Sequence, residues 1–386
     1  MISANKGQVK DFVPNQSTGS WLVAVLANIK DESTKLHPGA PKDFLADFDR
    51  IETIQAIQNA IESAGHRTVF VQADGNLPYA LNQIKPDICF NIAEGLGGDG
   101  REAQTPGLLE MLRIPYTGSR VVANAISLDK TLTKRLWYER HLPVTPFQEF
   151  RTGNEFLNPE LHFPLFVKPV REGTGMGIDN DSIVNTEAEV RARVQWIINS
   201  YRQPALVEEY LPGREFTVAV MGRFDCKLYS RHPEWYEADG FHRFPIMELD
   251  TRHCITPGIY GYAAKSKEVG TEGAPIYICP TQLDEDLARK LQYYALQSHI
   301  ELDALDISRV DIRLNSKGDP FLMEINPLPG LTSGYSDLCL IANADGIDYQ
   351  ELILEILYLG ASRWGLLKAR ESNSVLQERN GSFAVY

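Results

Sequence analysis

Residues 307–336, ISRVDIRLNSKGDPFLMEINPLPGLTSGYS, constrain this chain more than any other stretch. Two runs with period-2 alternation, Ile307–Leu314 and Pro320–Asn326, flank the polar turn Asn315–Asp319 and predict an antiparallel hairpin. With Ser316–Asp319 as the loop, Asp311 faces Glu324 and Arg309 faces Asn326 on one side of the pair, because side chains alternate along strands. Val310, Ile312, Met323 and Ile325 fall on the other side. Opposed carboxylates repel unless a cation lies between them. The face is therefore either a solvated acidic surface or an all-oxygen metal site of Asp311, Glu324 and Asn326, a donor set that suits Mg²⁺. The Asn326-Pro-Leu-Pro-Gly330 exit favours the metal, since it stiffens the backbone and supplies N–H groups beside it.

At 386 residues, 43% hydrophobic and 23% charged, the chain is an ordinary globular sequence with room for two or three domains. A net charge of −13 argues against a nucleic-acid or anionic-membrane partner, while leaving room for a local basic nucleotide pocket. The five cysteines are scattered and form no C-x-x-C, which reads as reduced thiols in a cytoplasmic protein. No basic segment leads into an apolar run near the N-terminus, and no apolar run approaches 18 residues. The expectation is a protein neither secreted nor membrane-spanning.

Residues 1–19 are polar, and the first strand is expected at Trp21–Ile29. Phe48, Ile51, Ile54, Ile57 and Ile61 recur at helical spacing and predict a helix over Phe44–Ala64 that Gly65 stops. Strand Thr68–Gln72, a short helix near Leu77–Ile84 and strand Asp87–Ala93 complete a βαβαβ unit, hence a parallel sheet covered by helices. The Gly-rich stretch Glu94–Glu102 then lies beyond a strand's carboxyl end, as either a ligand loop or a plain turn. Helices over Pro106–Leu112 and Ala125–Arg140 follow.

Strand Pro164–Pro169 delivers Lys168 and the loop Arg171-Glu-Gly-Thr-Gly-Met-Gly177, including Glu172 and Thr174. It lacks the G-x-x-x-x-G-K-[ST] pattern, but successive N–H groups of a small-residue loop beside a lysine can still cradle phosphate. A hairpin turn is the other reading. Strand Ala205–Glu209 ends in the acids Glu208 and Glu209, breaks at Tyr210–Gly213 and resumes at Glu215, a place where backbone and carboxylate can meet a nucleoside. Residues 346–361 predict an amphipathic structural helix, and the polar tail 372–386 ends in apolar residues.

The ordered motifs NIAEGLGGDG, PYTGS, SLDKTLTK, LFVKPVREGTGMGI, LVEEYLPGREFTVAV, GYAAKS, SRVDIRL and FLMEINPLPGLTS, over about residues 88–360, resemble the D-alanine–D-alanine ligase branch of the ATP-grasp superfamily. The resemblance implies an α/β chain of three domains. An N-terminal parallel α/β domain (1–124) precedes a central lobe (125–213) and a C-terminal lobe (214–386), two α+β lobes that sandwich ATP. It implies ATP and Mg²⁺, with Mn²⁺ as a substitute, small-molecule acid and amino-acid substrates, and a homodimer. By position, Lys130 and Lys168 would contact phosphates, Glu208, Glu209 and Leu211 the adenine hinge, and Glu215 the ribose. Asp311, Glu324 and Asn326 would hold magnesium, and Lys265 would close over the γ-phosphate. Arg309 and the Gly330 N–H would steady the acyl phosphate and tetrahedral intermediate.

Departures from the family pattern all fall on the amino-acid side. The glutamate that binds the first substrate's ammonium has only Asp31 or Glu32 as a counterpart, and the family's His-Gly is Glu94-Gly95. A carboxylate-gripping serine maps to Tyr335, with Ser333 and Ser336 nearby; the Glu-Gly-Ser-Ser serine is Thr174; the tyrosine after the loop lysine is Ser266. The expected activity is thus ATP-dependent C–N ligation on substrates other than D-alanine, for example the mycosporine-like amino acid ligation of serine or threonine to mycosporine-glycine. The alternatives are a true D-alanine–D-alanine ligase and a non-catalytic nucleotide-binding module.

Overall fold

The computed structural model describes residues 19–29 and 41–367. Asp31, Glu32 and the tail 372–386 lie outside the described residues. Continuous apolar sequence makes β1 (Leu22–Ala27) the centre of a three-stranded parallel sheet, between β2 (Arg67–Gln72) and β3 (Ile88–Asn91), with Val25 opposite both Phe70 and Phe90. The crossovers are α1 (Ile51–Ser63) and α2 (Leu77–Ile84).

The first helix is shorter than its apolar periodicity predicts. Asp49 N donates to Asn28 O at 2.9 Å and Asp49 bridges Ile29, which holds the preceding segment in turns and extended backbone instead of helix. After β3, α3 (Arg101–Leu112) starts five residues earlier than predicted. The single helix expected over 125–140 is two, α4 (Val121–Leu128) and α5 (Lys130–Glu139). The break is Asp129, whose carboxylate accepts from Thr131 N at 3.1 Å and Leu132 N at 3.0 Å as the N-cap of α5.

A four-stranded antiparallel sheet follows, built from β4 (Phe147–Phe150), β5 (Leu165–Pro169), β6 (Ile183–Val184) and β7 (Ala205–Glu209) in the order β4-β7-β5-β6. Helix α6 (Glu187–Tyr201) covers it, burying Val190, Val194 and Ile197 against Leu165, Val167 and Val207. The third sheet contains β8 (Glu215–Gly222), β9 (Phe241–Arg243), β10 (Met247–Asp250), β11 (Ile276–Ile278), β12 (Ile307–Leu314) and β13 (Pro320–Asn326). Its order is β11-β10-β8-β12-β13, with β9 on β8. A one-turn helix, α7 (Tyr262–Lys265), lies in the connection from β10 to β11, and α8 (Glu285–Glu301) backs the sheet. Finally α9 (Asp337–Ala344) and α10 (Tyr349–Arg363) carry the chain back to its start. Helix α10 shares one core with α1 and β1, so residues far apart in sequence close a single layer. Arg363 fastens it, reaching Asp306 and Gly118 O, both at 2.8 Å. Among the described residues no helix is long and apolar enough to cross a membrane.

Helix α8 buries His299 against β12, its Nδ1 2.7 Å from Ser308 Oγ. Burial lowers the imidazole from its ordinary 6.5 to about 4, so protons bind the unfolded chain first. The contribution to stability is intact above about pH 6.5 and is lost as pH falls toward about 4. His299→Gln should therefore flatten the stability–pH curve in that window by about 1 kcal/mol per pH unit, measured by urea unfolding of both proteins. Equal slopes would contradict this placement.

Candidate active site

The hairpin β12–β13 brings the acidic residues together as alternation requires: Asp311 pairs with Glu324 and Arg309 with Asn326. Two irregularities cancel to produce that register. The turn is one residue longer than predicted, with Leu314 pairing Pro320, and a β-bulge between Asp311 and Ile312 takes up the extra residue. The bulged residue is Met323. It lines a cavity with Asp311 and Glu324 instead of joining the apolar face, where Leu322 stands opposite Ile312.

Glu324 sits where two cavities meet. The larger, about 260 Å³, and the smaller, about 70 Å³, share Tyr260, Lys265 and Glu324 as lining residues. Lys130 Nζ is 3.3 Å from the Glu324 carboxylate. Burial alone would raise that carboxyl, but Lys130, Lys265, Lys168 and Arg309 together hold it well below the usual range. Asp311 is gripped by Arg309, with Nε and Nη2 each 3.1 Å from a carboxylate oxygen. Asn326 Oδ1 accepts from Leu328 N at 2.8 Å and keeps a second lone pair.

The smaller cavity gathers Lys130, Lys168, Glu172, Glu215, Phe166 and Met323. Lys130 Nζ donates to Glu172 O at 2.5 Å, and the Glu172 carboxylate accepts from Gln203 at 2.6 Å. Glu215 is held by Arg313 at 3.1 Å and faces the cavity. Glu208 does not offer its carboxylate to this space. It is fully buried, 2.8 Å from both Lys134 and Lys168. Burial would raise it; the two ammonium groups bring it down to about 2. Glu209 turns away to His162, whose Nδ1 lies 2.8 Å off, and Leu211 is buried and lines neither cavity. Lys134 was missed in the sequence: SLDKTLTK contains it, yet nothing local distinguishes it from a surface lysine.

The loop after β5 is zipped to the segment bearing Lys265. Tyr262 N donates to Gly175 O at 3.0 Å, and a Cβ on Gly175, which has φ +70, would lie 2.6 Å from the Gly261 backbone. Glycine is required there by closeness as well as conformation. Tyr335 ties in from the other side, its hydroxyl donating to Lys265 O.

Glu94, Thr174, Arg309, Gly330, Tyr335 and Ser336 all line the larger cavity, whereas Ser333 is exposed and outside it. Behind Arg309 stands Asp337, 3.4 Å from Nη1, itself accepting from Tyr260 at 3.2 Å. Three more acids at this cavity escaped sequence reading: Asp47 and Asp49, hidden in the stretch predicted as helix, and Glu102 in the first turn of α3. Arg101 pairs with Asp47 at 3.0 Å.

Among the described residues no three His, Cys, Asp or Glu side chains form a metal cage. Magnesium needs none, since it takes one or two carboxylates and fills its octahedron with water and phosphate oxygens. Asp311, Glu324 and the free lone pair of Asn326 fit that donor chemistry. Replacing Lys134 by methionine should leave Glu208 half-compensated and destabilise the protein by about 3 kcal/mol in urea unfolding. A loss below about 1 kcal/mol would show that the buried pair is dispensable.

The family model described as "D-ala D-ala ligase C-terminus" matches residues 136–358. The D-alanine–D-alanine ligase of Aquifex aeolicus is 32% identical over 308 residues, 80% of this chain and 94% of that protein. An uncharacterised protein of Sinorhizobium fredii is 31% identical over 313 residues, 79% of this chain and 86% of that one. A solved structure of Bacillus anthracis D-alanine–D-alanine ligase complexed with ATP superposes with a TM-score of 0.65 at 21% identity, over 90% of this chain and 99% of that chain, a likeness of fold.

Proposed function

The chain belongs to the D-alanine–D-alanine ligase family, ATP-grasp enzymes that depend on ATP and Mg²⁺, and we propose that it joins an amino acid to an acid other than D-alanine. The observation that carries the site assignment is the sharing of Lys265 and Glu324 by the two cavities. A nucleotide in the smaller one would present its terminal phosphate at the floor of the larger. Phe166 and Met323 would flank the base, Glu215 would take the ribose, and Lys130 and Lys168 the phosphates.

A carboxylate is a poor electrophile. Transfer of the γ-phosphoryl group to one of its oxygens gives an acyl phosphate and ADP. The amine of the second substrate then attacks the acyl carbon, a proton leaves the nitrogen, and phosphate departs as the C–N bond is completed. Such transfer depends on positioning and on charge neutralisation, which suits Lys265, Lys130 and Arg309 and needs no protein nucleophile. Asp311, Glu324 and Asn326 would hold the magnesium, which neutralises phosphate charge when bound. Arg309, steadied by Asp311 and Asp337, would face the oxygen that gains charge, and the Gly330 N–H, on the lining of the same cavity, would assist it. The bond from Tyr262 to Gly175 holds the covering segments together over the site and excludes water from the acyl phosphate.

The choice of a non-D-alanine substrate rests on Glu94, Thr174, Tyr335 and Ser266, which replace the family's residues on the acceptor side. Mycosporine-glycine with serine or threonine is one such pair, in which a ring enol oxygen rather than a carboxylate would be activated. The names of the relatives favour the second reading, D-alanine–D-alanine ligation. Phosphate release with ATP and Mg²⁺ across amino acids, alone, in pairs and with mycosporine-glycine, separates the two. Turnover with D-alanine alone would overturn the first reading.

In the active pair, Glu324→Gln should lower kcat about a hundredfold with the fold intact by circular dichroism. Full activity would sink the metal assignment. Lys265→Ala should slow phosphoryl transfer about as much while changing ATP affinity far less. An unchanged rate would remove this lysine from the mechanism.

A further inference from the structure

Besides Asp47, which pairs with Arg101, three carboxylates in the larger cavity have no part in the reaction above. Asp49, Glu94 and Glu102 line it, and among the described residues none of the three side chains has a hydrogen-bond or salt-bridge partner. Glu102 is the most enclosed, 9% exposed, and lines the cavity. Burial raises the Asp49 carboxyl to about 7, a sign that negative charge here lacks compensation.

Burial raises the Glu94 and Glu102 carboxyls, and the neighbouring cations offset this only in part, Arg101 lowering both and Lys130 lowering Glu102. Arg101 pairs with Asp47 at 3.0 Å and Glu172 at 3.5 Å. Arg309 is held between Asp311 and Asp337, and Lys265 lies 4.5 Å from the Tyr260 ring centroid near Glu324. Arg50, the remaining basic residue of the wall, is exposed. Among the described residues Asp49, Glu94 and Glu102 form no three-carboxylate cage, so a single coordinated metal does not hold all three at once. The missing positive charge belongs to a ligand that spreads it over more than one point.

Resting on the ligase reading, we propose that the amino-acid substrate carries a second cationic group, an amine or guanidinium besides its α-ammonium, and that Asp49, Glu94 and Glu102 hold these groups. Each ammonium brings three donors to enclosed carboxylates, the strong charge-assisted case. The α-carboxylate is then left for Arg309 and the Gly330 N–H, which line the same cavity. D-alanine, with one ammonium, would leave acids in the cavity unpaired, which costs binding energy. A volume of about 260 Å³ accommodates a small amino acid with an extended side chain.

The test is calorimetric titration of the full chain with Mg²⁺ and a non-hydrolysable ATP analogue, followed by matched ligands. Lysine is compared with norleucine and ornithine with norvaline, each as both enantiomers, because the pairs differ chiefly in the terminal ammonium. The cationic member of at least one pair should bind about tenfold tighter or more. Glu102→Gln and Asp49→Asn, each checked for native circular dichroism, should narrow that ratio. Equal binding within both pairs, or binding of no amino acid, overturns the proposal while bound analogue leaves the ligase reading standing. Failure of the analogue itself to bind removes the ligase reading and the proposal together. An unchanged ratio in both variants overturns the assignment to these carboxylates.

Discussion

Two carboxylates set across one strand pair, Asp311 against Glu324, are the constraint around which the site is arranged. Unbalanced, they would push the hairpin apart. Arg309 takes Asp311 from its own strand, and Lys130 reaches Glu324 from the first turn of α5. A second buried network stands behind these cations, with Glu208 bridging Lys134 and Lys168. Neither lysine can leave without stranding a charge in the interior, so Lys168 is held at the cavity wall in a fixed pose. Fixed cations around a recess suit phosphoryl transfer because they need no reorganisation when charge shifts.

Access to that recess is governed by short backbone contacts between loops. Gly175 meets Gly261 and Tyr262 closely enough to exclude any side chain, while Tyr335 holds the carbonyl of Lys265 from the acceptor side. The segment carrying Lys265 is therefore tied to both cavities at once. Few apolar contacts anchor so small a helix as Tyr262–Lys265, and elements of that kind lie at the low end of local stability.

Much of this was legible in the sequence wherever local pattern and tertiary packing agree. The parallel strands, the hairpin and its facing acids follow from continuous or alternating apolar runs. Even there, the register came out right because a longer turn and a bulge compensate, and Met323 changed faces as a result. The failures share a cause. Residues 44–50 carry helical periodicity, but a backbone bond from Asp49 to Asn28 outweighs it and delivers Asp47 and Asp49 to the cavity. Glu208 and Glu209 read as strand-end acids placed to meet a nucleoside, yet alternation sends one carboxylate into the interior and the other to His162. Lys134 acquires its meaning only from Glu208, distant in sequence. Glu94, Thr174, Tyr335 and Ser336, named from the sequence, do line the larger cavity, whereas Asp47 and Asp49, delivered by turns, were not legible.

The most direct measurement is a crystal structure with Mg²⁺ and a non-hydrolysable ATP analogue. The account predicts the base between Phe166 and Met323, the metal on Asp311, Glu324 and Asn326, and the terminal phosphate beside Lys265 at the mouth of the larger cavity. A nucleotide bound elsewhere, or one whose terminal phosphate points away from that cavity, would contradict it.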